Sequence, residues 1–312
     1  MFTFIVNPNS GGERGYRIWK NLERLLIRDK IEYRSYLTNG AEDAVSLAER
    51  LTSDRNGEDV TLIAVGGDGT MNAVLNGIRI SDHVTLGFIP TGSGNDLAIG
   101  LKLPGNPEAC LKRILTPKEI KRTDYGILSY TLPDSLAPVN RRFLNSSGVG
   151  YDALINLDIR KASLKKKLAP FGMQKLSYIM AGAERLKNFR TVRGEVVLDG
   201  VKKVEFNHIF FISSHIHPTE GGGYRFAPKA DDTDGELTVC IIHNRSKKHL
   251  TRILFSSMFG NHLKYEGVRS YNCTEMQVHL EDFLPVHADG EDCGELKDFE
   301  LRCVRQKLKF IV

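Results

Sequence analysis

The sequence has no two cysteines at C-x-x-C spacing. Its five cysteines (Cys110, Cys240, Cys273, Cys293, Cys303) are odd in number and scattered, which excludes a disulfide framework and a zinc ribbon and leaves five free thiols. No apolar run approaches the ~18 residues that a bilayer-spanning helix needs. The N-terminal run Phe2 to Val6 is too short for a signal-peptide core and stops at Asn7-Pro8, so a cytoplasmic protein is expected. Nine histidines are present, with His215 and His217 the closest pair, but neither H-E-x-x-H nor any Cys/His spacing supports a transition-metal site. The single tryptophan, Trp19, reads as helix packing. Internal repeats and low-complexity segments are also missing.

What is present is an ordinary globular composition, 41% hydrophobic, 26% charged and 8% aromatic, over 312 residues. That length suits one large or two ordinary domains. The formal net charge is +5, yet between Arg160 and Arg193 ten Lys or Arg stand with one acid, Glu184. This segment therefore carries +9 and the remainder −4, so one basic face on a mildly acidic protein is expected.

The first ~125 residues alternate short β-branched or aromatic runs with apolar stripes of period near 3.6. Strands are expected at Phe2 to Val6, Glu32 to Leu37, Val60 to Val65 and Val84 to Ile89, with helices carrying Ile18, Leu22, Leu25 and Leu26, then Val45, Ala48 and Leu51, then Met71 to Ile78. Repeated β-α units imply a parallel sheet with helices on both faces. Beyond Asp124 strands follow one another: Gly194 to Leu198, Val201 to Phe206, Ile209 to Ser213, Leu237 to Ile242, Met276 to Leu280 and Lys307 to Ile311. An antiparallel β-rich second domain is expected, interrupted by the basic stretch and by a helix from about Lys247 to Phe259. Residues 1–126 and 127–312 are the expected domains, with the loop Pro133 to Pro138 near the boundary.

Three glycine-rich turns end strands of the first domain: Asn7-Pro8-Asn9-Ser10-Gly11-Gly12, Gly66-Gly67-Asp68-Gly69-Thr70 and Thr91-Gly92-Ser93-Gly94-Asn95-Asp96. In a parallel sheet such turns gather at the carboxyl edge, where backbone N–H groups can approach phosphate oxygens closely. Walker A is absent, and G-x-G-x-x-G fails because Leu97 follows Asp96. An acid stands in each of two turns. A bare carboxylate repels polyphosphate, so Asp68 and Asp96 are expected to hold Mg²⁺ directly or through water, although Asp68 could instead cap the following helix.

Asn7-Pro8-x-Ser10-Gly11, Gly66-Gly67-Asp68-Gly69-Thr70-x-Asn72 and Pro90-x-Gly92-Ser93-Gly94-Asn95-Asp96 resemble the three nucleotide motifs of the diacylglycerol kinase catalytic domain family, particularly its soluble bacterial lipid kinases. Sphingosine and ceramide kinases are relatives, and NAD kinases more distant ones. The likeness continues through Asn145-x-x-Gly148-x-Gly150-x-Asp152, Gly221-Gly222-Gly223, Asp234-Gly235 and Asp289-Gly290-Glu291. It implies an N-terminal α/β nucleotide domain, a C-terminal antiparallel β-sandwich to which the lipid is assigned, an active site between them, and a last strand returning to the first domain. It also implies ATP held by Asn7 to Gly11, Thr38, Gly66 to Thr70, Asn72, Gly92, Ser93 and Asn95. Asp68, Asp96 and Asp124 would join Asp289 in a carboxylate network around Mg²⁺.

Phosphoryl transfer to an alcohol asks for a carboxylate near the attacking hydroxyl. Asp289, with Glu291 assisting, is the candidate, since the intervening glycine allows a tight turn; a plain hairpin turn is the alternative, as for Asp199-Gly200. Phe226, Lys229 and Asp231 resemble a structural Mg²⁺ site of bacterial relatives, with Lys229 standing where an acid is common. The basic stretch, with Lys165, Lys166 and Lys167 beside Phe171, Met173 and Tyr178, suits an anionic membrane surface rather than nucleic acid. An ATP- and Mg²⁺-dependent lipid kinase acting on diacylglycerol is therefore expected, cytoplasmic and transiently at the inner face of the membrane, with a homodimer as a further expectation. The alternatives are a kinase of another lipid alcohol (sphingoid base, phosphatidylglycerol or an undecaprenol-like lipid), an NAD kinase, and a non-catalytic lipid- or nucleotide-binding regulator.

Overall fold

Short apolar runs, each followed by an amphipathic helix, build the first of two compact units in the computed structural model, which describes residues 1–53, 57–132, 137–161, 186 and 189–312. The units are Met1–Asp124 with Gln306–Val312, and Tyr125–Arg305. In the first, β1 (Phe2–Val6), α1 (Ser10–Arg28), β2 (Tyr33–Leu37), α2 (Ala41–Thr52), β3 (Val60–Gly66), α3 (Asp68–Gly77) and β4 (Val84–Pro90) follow one another, then α4 (Asp96–Gly100) and α5 (Pro107–Leu115). The strands pair in parallel in the order β4-β3-β1-β2. β3 and β4 are buried along nearly their whole length, as strands covered by helices on both faces must be. Phe4, Trp19, Leu22, Leu26, Ile63 and Ile89 meet in the core, where the Trp19 and Phe4 rings lie 5.1 Å apart.

β5 (Ile120–Thr131) starts in the first unit and continues into the second. There β6 (Pro138–Phe143), β7 (Ser146–Gly150), α6 (Tyr151–Lys161), β8 (Val192–Leu198), β9 (Lys202–His215), β10 (Leu237–His243), α7 (Lys247–Ser257), β11 (Val268–Cys273), β12 (Glu275–Ala288) and β13 (Glu291–Ile311) follow. The pairings of β5 with β6, β7 with β9 and β12, β8 with β9 and β12, β10 with β9 and β11, and β12 with β13 are all antiparallel.

The sequence expectation of separate strands at Val201 to Phe206 and Ile209 to Ser213 is corrected, because β9 runs through both. The chain bulges at His208, whose φ is 52°, and the register against β10 shifts at Ile242/His243. Met276 to Leu280 and Lys307 to Ile311 are parts of longer strands, and β5, β6, β7 and β11 add to the strands that the sequence pattern predicts. Residues 133–136 and most of the basic stretch, including Lys165, Lys166 and Lys167, lie outside the described residues.

Candidate active site

Each glycine turn of the first unit is tied to another by a polar bond at the carboxyl end of its strand. Asn7 N donates to the Val65 carbonyl (2.9 Å) and Asn7 Nδ2 to Thr70 Oγ1 (3.0 Å), so the first turn holds the second. Ser10 Oγ donates to the Asn7 carbonyl (2.9 Å) and lies 2.6 Å from Thr91 Oγ1, while Thr91 N donates to the Gly66 carbonyl (2.7 Å). Thr38, entering from the end of β2, donates through its backbone N and Oγ1 to the Val6 carbonyl (2.8 and 3.3 Å). The remaining turn residues shape the backbone. Asn9 N donates to Asn7 Oδ1, the Pro8 carbonyl accepts Tyr16 N, and Asn95, at φ 56°, donates through Nδ2 to the Gly92 carbonyl. Gly69 lies in the first turn of α3 and Ser93 is half-buried. Gly92 has no room for a side chain: a Cβ there would stand 2.5 Å from the Gly67 Cα, so glycine lets the second and third turns touch backbone to backbone. Asn72 sits deeper on α3, where Asn76 Nδ2 donates to its Oδ1 (3.1 Å).

Asp68 joins the second turn to the helix after the third. Its two carboxylate oxygens accept Asp96 N and Leu97 N, each at 3.2 Å, capping α4. Asp68 Oδ2 and Asp96 Oδ2 also border one space, 3.3 and 3.5 Å from where a Gly94 Cβ would stand. Desolvation, then the Asp96 charge, push the Asp68 carboxyl up to about 6. Asp124, on β5, accepts Gln306 N through Oδ1 at 2.5 Å. Among the described residues, Asp68, Asp96 and Asp124 are not a set of three with ligand atoms within 4.8 Å of one another.

In the second unit Asp289 and Gly290 are the two-residue loop joining β12 to β13, both with positive φ (50° and 77°), and Ala288 pairs with Glu291. Unlike a free hairpin tip, this turn is anchored. Asp289 Oδ2 accepts Leu144 N (2.7 Å), Oδ1 accepts Asn145 N (2.8 Å) and Ser146 N (3.1 Å), and Asp289 N donates to the Ser146 carbonyl (2.8 Å). Glu291 is half-buried at the first position of β13. Of the residues suggested for a structural metal, Phe226 accepts His262 Nε2–H at its carbonyl (3.1 Å), Asp231 Oδ1 accepts Thr233 N and Oγ1, and Lys229 is exposed.

Sequence spacing gave no sign of the buried cluster of Asp152, Glu220 and His287, the set of metal-capable groups that the described residues do bring within 4.8 Å. His287 Nε2 lies 2.8 Å from Asp152 Oδ2, Glu220 hydrogen-bonds the Asp152 side chain, and Gly290 N donates to His287 Nδ1 at 3.0 Å. Burial, then the Asp152 charge, raise Glu220 well above the ordinary carboxyl range. Metal ligation through Nε2 would need a proton on Nδ1, which the Gly290 N–H already faces, so the cluster is a hydrogen-bonded chain instead. The signals for it are present singly: Asp152 closes the Asn145-x-x-Gly148-x-Gly150-x-Asp152 motif, Glu220 precedes Gly221, and His287 stands two residues before Asp289.

The family described as the diacylglycerol kinase catalytic domain matches residues 1–127, and the YegS C-terminal NAD kinase beta sandwich-like domain matches residues 145–312. The chain belongs to the family of the YegS C-terminal domain, which spans more than half of it, and carries a diacylglycerol kinase catalytic domain before it. It is a lipid kinase. YtlR of Bacillus subtilis is 29% identical to this kinase over 299 residues, 93% of either chain. The diacylglycerol kinase of the same organism is 26% identical over 294 residues, 94% of this chain and 90% of its own. A solved chain from Bacillus anthracis strain Sterne shares the fold at a TM-score of 0.76 with 20% identity, covering 99% of this kinase and 96% of its own length.

Proposed function

We propose that this kinase transfers the γ-phosphate of ATP to the free hydroxyl of diacylglycerol, releasing ADP and phosphatidic acid, at the cytoplasmic face of a membrane. The observation that carries the proposal is the cross-tied set of glycine turns at the carboxyl edge of a parallel sheet, with Asp68 and Asp96 beside it. Backbone N–H groups and the hydroxyls of Ser10, Thr70 and Ser93 suit phosphate oxygens. Hard carboxylate oxygens suit Mg²⁺, and a carboxyl driven up to about 6 by desolvation and then by a like charge is one that a cation relieves. Since Asp68 already accepts two amides, it fits a role through metal-bound water better than direct ligation. When bound, Mg²⁺ would neutralise charge on the transferring phosphate.

The acceptor oxygen attacks the γ-phosphorus as its bond to the β–γ bridging oxygen breaks, and the hydroxyl proton passes to a carboxylate. Asp289 is assigned that role with Glu291 assisting. Little basicity is asked of it, since in a loose transition state positioning counts most, and three backbone N–H groups aim the Asp289 carboxylate.

A membrane contact within the described residues is supported on α7. Lys248, Arg252, Phe255 and, just past the helix, Phe259 follow one another at three- and four-residue steps and are all exposed, with Phe255 and Phe259 63% and 60% accessible. The helix has no acid. Cations beside exposed aromatics suit an anionic headgroup layer.

The deciding experiment is transfer of radiolabelled γ-phosphate from ATP to vesicle-borne lipids, with the product identified. Labelled phosphatidic acid is the expected outcome. Label on another lipid alone would change the acceptor, and label on NAD or NADH alone would overturn the lipid reading.

A further inference from the structure

We propose that His287 is a positioning residue for phosphoryl transfer, holding the Asp289-Gly290-Glu291 turn through the Gly290 amide. The inference rests on the reading of that turn as the proton-accepting site. A backbone N–H can only donate, so the 3.0 Å contact from Gly290 N makes His287 Nδ1 the acceptor and places the imidazole proton on Nε2. Nε2 then donates to Asp152 Oδ2 at 2.8 Å, and Asp152 in turn hydrogen-bonds Glu220. The result is a buried chain of side chains that ends on the amide of the glycine between the two candidate carboxylates.

The surroundings are built for this orientation. His287 pairs across the sheet with Gly148, and a Cβ on Gly148 would collide with both the Asp152 carboxylate and His287 Nε2, so only glycine leaves space for the pair. The His287 carbonyl accepts Ser147 Oγ (2.8 Å), fixing its backbone as well. Asp289 has its own anchors on residues 144–146, whereas Gly290 N, at the apex, takes its hold from His287. Two left-handed residues in succession leave the direction of Glu291 sensitive to that hold.

Two substitutions separate the two ring nitrogens. An asparagine oxygen lies near the place of Nδ1 and can still accept the Gly290 N–H. A glutamine reaches the place of Nε2 and keeps the Asp152 contact but not the Gly290 one. We expect His287→Ala and His287→Gln to lower kcat about 10²-fold with the KM values for ATP and lipid within about threefold, and His287→Asn to recover at least about tenfold of the loss. Equal kcat in the Asn and Gln variants, or a change confined to KM, would overturn the proposal. A measurement on the unaltered enzyme stands beside it: ¹⁵N spectra of histidine-labelled kinase should show the His287 ring, identified by its loss in any of the three variants, as the Nε2–H tautomer. An Nδ1–H tautomer or an imidazolium at neutral pH would equally sink it. An unaltered enzyme that transfers phosphate to no lipid would remove the functional reading instead, while leaving the tautomer result standing.

Discussion

Asp152 is a buried carboxyl whose ionisation works against the fold. Desolvation pushes it up to about 6 from an ordinary 3.8, the Glu220 hydrogen bond opposing that shift. Because the folded-state value is the higher one, protonation favours the folded state: this contribution is complete below the unfolded value and lost as pH rises through about 6. At neutral pH the cost is roughly 3 kcal/mol. Asp152→Asn removes the titration yet keeps an oxygen for His287 Nε2–H. Measured by denaturant unfolding, the stability of the native chain relative to this variant should therefore fall by up to roughly 3 kcal/mol between about pH 4 and about pH 7. A pH-independent difference would mean that Asp152 does not titrate in that window. Asp289 shows what sequence can disclose of a single residue. Its D-G turn was legible, since few other dipeptides tolerate two positive φ values. Its three amide donors were not, because they come from residues 144–146, far away in the chain. An asparagine at 289 would turn an N–H toward one of those donors at a cost of about 1–3 kcal/mol, so activity lost in Asp289→Asn mixes chemistry with broken anchoring.

At the scale of elements, the α/β alternation was legible because β3 and β4 are continuous apolar runs and α1 carries a strong apolar stripe. β7 was not: Ser-Ser-Gly-Val-Gly is wholly buried but has small residues where a strand pattern needs large ones, and its burial comes from pairing with both β9 and β12. Asn207-His208 divides β9 into two strands on sequence pattern alone, whereas the ladder carries the chain past it as a bulge. The helix expected from about Lys247 to Phe259 is α7, but its apolar period does not disclose that Phe255 faces outward while Leu250 and Ile253 face the core. Burying one phenylalanine in an apolar layer contributes about 1.5–3 kcal/mol. Replacing both Phe255 and Phe259 with serine should accordingly weaken sedimentation with phosphatidylglycerol-rich vesicles by more than about tenfold, with the residual binding removed by salt as screening of Lys248 and Arg252 requires. Undiminished binding would move the contact away from α7 and toward the basic stretch with Lys165, Lys166 and Lys167.

Across the whole molecule, the longest strand links the two units by covalent continuity. β13 leaves the turn at Gly290 in the second unit, and its last residues belong to the first, where Lys309 and Phe310 pair in parallel with Thr85 and Leu86 of β4. There Gln306 N meets Asp124, Val312 N donates to the Glu119 carbonyl, and Phe310 is fully buried. Sequence pattern marks only Lys307 to Ile311 as a strand, because Arg302 and Arg305 upstream break the apolar alternation; what continues the ladder there is backbone pairing. The first unit is thus completed by residues that follow the second in sequence. Truncating Phe310 to alanine leaves a cavity beside β4 and should destabilise the first unit by about 3–5 kcal/mol. Stability need not fall evenly, since units open locally when their own core is weakened. Hydrogen exchange of Phe310→Ala should therefore show lost protection in β3 and β4 with β9 and β10 unchanged. Equal loss in all four strands would mean that the two units unfold as one, and the strand that joins them would then be transmitting the defect rather than merely passing through.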